Sequence, residues 1–180
     1  MARNTWVQLY NDDSRGLSAD GLTLASFTTS APVFPTVVFP ANYFKTGKLI
    51  HMRARGVYGS TATPTMTWRL QNTVGTTVTI ATSNAITLAS SVTNQAWEFD
   101  MQIQCRSEGT SGTLLGFGDL NLGLTATTST TYYIPASGTA PATATVDTSI
   151  AQTWGLEVAC SASAAQNTIK GVILELKTLN

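Results

Sequence analysis

The chain has one histidine, so any serine or cysteine triad would have to use His51 as its general base. His51 lies in an alternating segment, and Arg53 and Arg55 follow it on the same face. Two neighbouring guanidinium groups oppose the imidazolium that a general base must form. We therefore interpret His51 as a solvent- or interface-facing residue on a basic strand face. No catalytic residue is predicted.

The two cysteines, Cys105 and Cys160, each end the apolar face of an alternating segment. A free cysteine in that setting behaves as a small hydrophobic residue. Two cysteines so far apart form neither a disulfide framework nor a zinc site. We expect both to be buried and unlinked, because the protein is expected to mature in a reducing cytoplasm.

A pair of carboxylates, Glu98 and Asp100, occupies alternate positions of one strand and so shares a face. Their spacing along a strand is roughly 7 Å, which would suit a glycosidase. Such pairs are also common on solvated sheet faces. We favour charge pairing with the Arg53 and Arg55 face, or plain solvation, over catalysis.

Two other motifs loosely suggest a ligand. Residues 11–13 (NDD) resemble half of a calcium loop, but the spaced ligands and the closing glutamate are missing. Gly116, Gly118 and Gly123 resemble a phosphate loop, but no Lys-Ser/Thr follows them and no helix begins there. We interpret these glycines as turn residues, and we predict no metal and no cofactor.

Aromatic side chains could form a sugar-binding platform, and the chain has four tryptophans. Trp68, Trp97 and Trp154 occupy inward positions of predicted strands, which indicates that these three belong to the core. Trp6 lies outside those strands. A carbohydrate-binding function would therefore require other exposed aromatics, arranged in a groove.

The composition limits the function further. Charged residues make up 11% of the 180 residues, and ten basic side chains balance ten acidic ones. Without net charge there is no long-range field to attract nucleic acid or anionic lipid, and a neutral exterior rich in Thr favours association. The chain shows neither a signal-peptide pattern nor 18 consecutive apolar residues. We expect a soluble protein that binds neither nucleic acid nor membrane.

Strict alternation of apolar and polar residues recurs along the chain and predicts half-buried strands. It covers residues 49–58, 64–71, 76–82, 96–105 and 153–160, and residues 168–176 are predicted to form a largely apolar closing strand. Polar turns separate these segments, and no window shows a helical period. This pattern predicts an all-β fold, an antiparallel β-sandwich of the jelly-roll type, over residues 31–180. Residues 119–148, with a short strand at 132–134, are expected to form a long excursion at one end of the sandwich.

Three stretches together resemble a family of structural proteins from tailed-bacteriophage virions. They are residues 44–71 (FKTGKLIHMRARGVYGSTATPTMTWRLQ), 87–112 (TLASSVTNQAWEFDMQIQCRSEGTSG) and 143–177 (TATVDTSIAQTWGLEVACSASAAQNTIKGVILELK). The resemblance covers about residues 43–177 and is one of pattern rather than of a single motif. The matching residues, which would be structural in such a family, are Gly56, Pro64, Trp97, Gly109, Gly112, Asp147, Asn167 and Ile169.

The resemblance implies a jelly-roll protein, often trimeric, that serves as a decoration or cement protein on the capsid, or as a fibre or tail component. We accordingly expect a non-enzymatic protein that binds the outside of a phage head and stabilises it. Its expected partners are further copies of itself, as a homotrimer, and the phage major capsid protein. One alternative is a carbohydrate- or receptor-binding module of a fibre or tail, and a second is a jelly-roll major capsid protein.

The first 30 residues lie outside the resemblance but contain many apolar side chains, which must be buried somewhere. They are either an arm that attaches the protein to a shell or an ordinary first strand of the sandwich. The candidate interface residues combine this segment with the basic strand face: Arg3, Trp6, Leu9, Tyr10, His51, Arg53 and Arg55.

Overall fold

The computed structural model describes residues 22–125, 127–135 and 142–179, together with the strand Trp6–Asp12. The described part of the chain consists of strands joined by turns and loops. The strands are β1 (Trp6–Asp12), β2 (Thr23–Ala25), β3 (Ala31–Pro32), β4 (Val37–Phe39), β5 (Leu49–Ser60), β6 (Thr65–Asn72), β7 (Val78–Thr82), β8 (Ile86–Thr87), β9 (Val92–Ser107), β10 (Gly112–Gly123), β11 (Ser129–Ile134), β12 (Ala144–Val146), β13 (Gln152–Cys160) and β14 (Thr168–Leu179).

The strands form two sheets that pack face to face. The larger sheet has the order β1-β14-β5-β9-β10-β11, with β12 beside β10 and β2 beside β14. The smaller sheet has the order β3-β13-β6-β7, with β4 beside β13 and β8 beside β6. All the pairings are antiparallel. The predicted all-β antiparallel sandwich is confirmed.

The pairing is nested along the chain, as a jelly roll requires. The first strand, β1, pairs with the last, β14, and β3 and β4 pair with β13. Further inside, β5 pairs with β9, and β6 pairs with β7 and β8. Such wrapping of strand pairs around two sheets is the jelly-roll arrangement. The strands β10, β11 and β12 are added between β9 and β13 and widen the larger sheet.

The core lies between the two sheets and follows the alternation of the sequence. In β9 every second side chain from Trp97 to Cys105 is buried, whereas Glu98, Asp100 and Gln102 face outward. Three tryptophans lie in the core, since Trp68, Trp97 and Trp154 are at most 2% exposed. Burying a large apolar side chain contributes about 1.5–3 kcal/mol, so this core supplies the main driving force for the fold.

The strand β10 corrects one sequence-based prediction, because its glycines are strand residues and not turn residues. Gly118 lies opposite Met101 of β9, and a Cβ atom there would come within 2.0 Å of the carbonyl oxygen of Asp100. A Cβ on Gly116 would come within 3.0 Å of the Ala81 side chain, from the opposite sheet. Close backbone approach therefore selects glycine within this strand.

The first 30 residues contribute β1 and β2, both of which pair with β14. In β1, Trp6 lies opposite Leu179, and in β2, Thr23 lies opposite Lys170. Whether this segment also attaches the protein to a shell stays a prediction. Of the candidate interface residues, Arg3 lies outside the described part of the chain.

Candidate functional site

The outer face of the larger sheet carries a regular array of polar side chains. Because the strands are antiparallel and in register, residues opposite one another form rows across the sheet. One row runs Glu175, Arg53, Asp100, Asp119, Tyr133 from β14 to β11. The next row along the strands runs Lys177, His51, Gln102, Phe117. This array brings together residues that are far apart in sequence.

Ion pairs occupy the β5 and β9 part of the array. The His51 Nε2 atom lies 2.7 Å from Asp100 Oδ1, and the Arg53 Nε atom donates to Glu98 Oε1 at 2.6 Å. Arg55 Nε lies 3.2 Å from Glu98 Oε2. The basic strand face therefore meets carboxylates of its own sheet, which confirms the predicted charge pairing of Glu98 and Asp100 with this face.

The charges of this network reinforce one another. Burial alone would raise the pKa of Glu98, but hydrogen bonds from Arg53 and Arg55 and their positive charges outweigh it and hold that pKa below its ordinary value. The same hydrogen bond to Glu98 raises the pKa of Arg53. Each pair is open to solvent, so it contributes about 0–1 kcal/mol. The network mainly fixes where the side chains point.

A shallow depression of about 280 Å³ adjoins the network at the β9, β10 and β11 end of the face. Two aromatic side chains, Phe117 and Tyr133, lie at it and are 52% and 58% exposed. Tyr133 is directly opposite Asp119, which places it diagonally from Phe117, and diagonal aromatic side chains on one sheet face lie within reach of each other. Polar groups of Asp100, Gln102 and Asp119 line the depression between them.

Asp119 differs from the other carboxylates of this face. Glu98 and Asp100 bind basic side chains of β5, and Glu175 Oε1 lies 2.8 Å from Lys177 Nζ. The Asp119 carboxylate forms no hydrogen bond and no ion pair with any other residue that the structure describes. Burial, and then the negative charges of Asp100 and Glu98, raise the pKa of Asp119, although the more distant Arg53 opposes this.

Known proteins show little similarity to this chain. No protein-family model matches the chain, and no curated protein matches it. A solved structure, the CBM2 module of the evolved Dit of Lactobacillus casei BL23 phage J-1, aligns over 99% of this chain and 98% of its own chain. The two chains are 11% identical, and their structures align with a TM-score of 0.40.

The candidate interface residues that the structure describes lie on one sheet but not in one site. His51, Arg53 and Arg55 lie in β5, beside the depression, whereas Trp6 to Tyr10 belong to β1 at the far edge of the larger sheet. Their role as interface residues stays a prediction.

Sequence reasoning missed Phe117, Asp119 and Tyr133. The sequence signal for this strand was the spacing of Leu114, Leu120 and Leu122, which lie an even number of residues apart and are all buried. This spacing predicts a half-buried strand in which Phe117, at an odd-numbered position, faces outward.

The arrangement offers little for catalysis or metal binding. The positions opposite His51 are held by Lys177 and Gln102, neither of which is a hydroxyl or thiol nucleophile. Cys105 is buried, and burial raises the pKa of its thiol, which makes it a poor nucleophile. Among the described residues, no three histidine, cysteine or acidic side chains are placed to share a metal ion. Within the same residues, no helix is long and apolar enough to cross a membrane.

Proposed function

We propose that the chain is a non-enzymatic carbohydrate-binding jelly roll whose ligand lies on the outer face of the larger sheet. The observation that carries the proposal is the exposure of Phe117 and Tyr133 beside Asp100, Gln102 and Asp119. We define these five residues as the aromatic depression. It has the exposed aromatics in a groove that a carbohydrate-binding function requires.

The chemistry of a sugar fits this arrangement. A pyranose ring presents C–H groups on its faces and hydroxyl groups around its rim. The rings of Phe117 and Tyr133 can cover the C–H faces, while carboxylate and amide oxygens accept hydrogen bonds from the hydroxyls. Phe117 and Tyr133 are both more than half exposed, so a ligand can reach both rings from the outer face of the sheet.

The depression is small, and the charged side chains beside it are held in place. Its volume of about 280 Å³ is just below the range of about 300–1,000 Å³ that is usual for enclosed small-molecule sites. The ion pairs of Arg53 and His51 with β9 hold Glu98 and Asp100 in place on the same face. A preordered face loses less side-chain entropy when a ligand binds.

A glycan array, followed by calorimetric titration of the best ligand, tests the proposal. We expect Phe117→Ala and Tyr133→Ala each to weaken binding by about tenfold or more, which corresponds to 1.4 kcal/mol. The matched control is Val38→Ala, because Val38 is 65% exposed but lies on β4 of the smaller sheet. An array without any bound glycan, or equal losses in all three variants, would contradict the proposal.

The setting that we propose for this activity is a phage virion. Its support is the sequence resemblance over about residues 43–177 and the neutral, Thr-rich composition, which favours association with further copies and with other virion proteins. Decoration of a capsid as a homotrimer is the second candidate function. Light scattering tests the oligomer: a trimer at micromolar concentration is expected, and a monomer would contradict it.

A further inference from the structure

We propose that the aromatic depression selects a glycan that carries a protonated amine, in preference to a neutral or acidic glycan. This inference rests on the proposed function and adds the chemical class of the ligand. The juxtaposition that supports it is a carboxylate without a basic partner, Asp119, flanked by two exposed aromatic rings.

The charge balance of the face favours a cationic ligand. Four basic side chains, those of His51, Arg53, Arg55 and Lys177, contact Glu98, Asp100 and Glu175. These contacts leave the end of the face at β10 with a net negative charge, because Asp119 lies directly opposite Asp100 and has no basic partner among the described residues. A ligand with a positive group at this position would complete the pairing.

The aromatic rings favour the same kind of ligand. A cation near the face of an aromatic ring is attracted by the negative charge of the π system, and a primary ammonium group can also donate three hydrogen bonds. Phe117 and Tyr133 supply the rings, and Asp119 and Asp100 supply the acceptors. A neutral hydroxyl group could occupy the same position and donate a hydrogen bond, but it would leave the negative charge of the carboxylates uncompensated. A carboxylate or sulfate group of the ligand would be repelled by these carboxylates.

The cost of an unpaired carboxylate supports this selection. Partial burial and the neighbouring carboxylates disfavour the charged form of Asp119, as the raised pKa shows. A carboxylate whose charged form is disfavoured beside a depression is a candidate to bind a cationic group.

The test compares one glycan array before and after chemical N-acetylation, which converts each free amine into a neutral amide and leaves the hydroxyl groups of the glycans unchanged when mild conditions are used. We expect the strongest signals on glycans with free amines, and a loss of at least tenfold after acetylation. For a soluble pair, oligomers of glucosamine and of N-acetylglucosamine are titrated at about pH 6, at low and at high salt. The preference for the amine should shrink as salt screens the charge.

Two variants separate this inference from the proposed function. Asp119→Asn keeps the shape of the side chain and removes its charge, so it should abolish the preference for amines while Phe117→Ala weakens binding of every glycan. The matched control is Glu108→Gln, since Glu108 pairs with Lys45 at a distance from the face. Signals that survive acetylation and depend on Phe117 would overturn the inference and leave the proposed function standing. An array that shows no binding either before or after acetylation would overturn both the inference and the proposed function.

Discussion

Truncation of Trp97 tests how the sandwich holds its larger sheet together. Trp97 is 2% exposed, packs edge-on against Phe34 with ring centroids 6.3 Å apart, and lies opposite Gly56 in β5. Its Nε1 atom donates to the carbonyl oxygens of Val57 and Lys170 at 3.3 and 3.2 Å. The side chain thus links β9 to β5 and to β14.

The expected cost of Trp97→Ala is about 3–5 kcal/mol, the usual range for removing a large buried aromatic. Trp97→Phe keeps most of the packing and removes one N–H that is shared between two carbonyl oxygens. Such a hydrogen bond contributes about 0.5–1.5 kcal/mol, so the loss should be clearly smaller than for Trp97→Ala. Urea slopes for domains are about 1–3 kcal/mol per molar. At about 2 kcal/mol per molar, Trp97→Ala should lower the midpoint by about 2 M.

Equilibrium unfolding in urea, followed by far-ultraviolet circular dichroism, measures these differences. Tyr133→Ala is the matched control, because Tyr133 is 58% exposed and its loss should change the free energy of unfolding by no more than about 0.5 kcal/mol. A loss below about 1 kcal/mol for Trp97→Ala, or equal losses for the two variants, would refute the placement of Trp97 in the core.

Three further predictions follow from the same packing and charges. Gly118→Ala should lower the melting temperature more than Gly75→Ala, because a Cβ atom at Gly118 would meet a backbone oxygen within 2.0 Å. Gly75 has a φ of +65° and open space around it, so a Cβ atom there costs only a backbone strain of about 1–2 kcal/mol. Equal losses in the two variants would contradict this prediction. Asp119→Asn should raise the midpoint of unfolding at pH 7, because the raised pKa of Asp119 in the folded state means that its ionisation opposes folding. This gain in stability should vanish below about pH 3, where the carboxyl group is protonated in both the folded and the unfolded state. A loss of stability at pH 7 would contradict the prediction. Thiol titration without reductant should find Cys105 and Cys160 both free after unfolding and slow to react in the native protein, and a count of zero after unfolding would show a disulfide.

Much of the fold could be predicted from the sequence, because a strand with one buried face shows its burial in its own alternation. The segment from Trp97 to Cys105 is an example, and its observed burial follows the predicted pattern. The alternation within a strand does not indicate which other strand pairs with it. Leu49 and Leu179 pair across most of the chain, and nothing local to either residue specifies the other.

The site was harder to predict than the fold. The strand β10 was missed because Gly116 and Gly118 weaken its local strand signal, and the reason for glycine at 118 is the backbone of a different strand. Tyr133 lies in a segment that was predicted as a strand, but its exposure depends on the pairing of β11 with β10. The proposed binding face is composed of three strands, so it can be recognised only when their register is known.

Chemical-shift mapping of the isotope-labelled protein with its best array ligand tests the carbohydrate-binding claim most directly. We expect the largest amide shifts at Asp100, Gln102, Phe117, Asp119 and Tyr133, on the outer face of the larger sheet, and we expect them to disappear in Phe117→Ala. Shifts centred on the smaller sheet, or no saturable shift with any glycan, would contradict it.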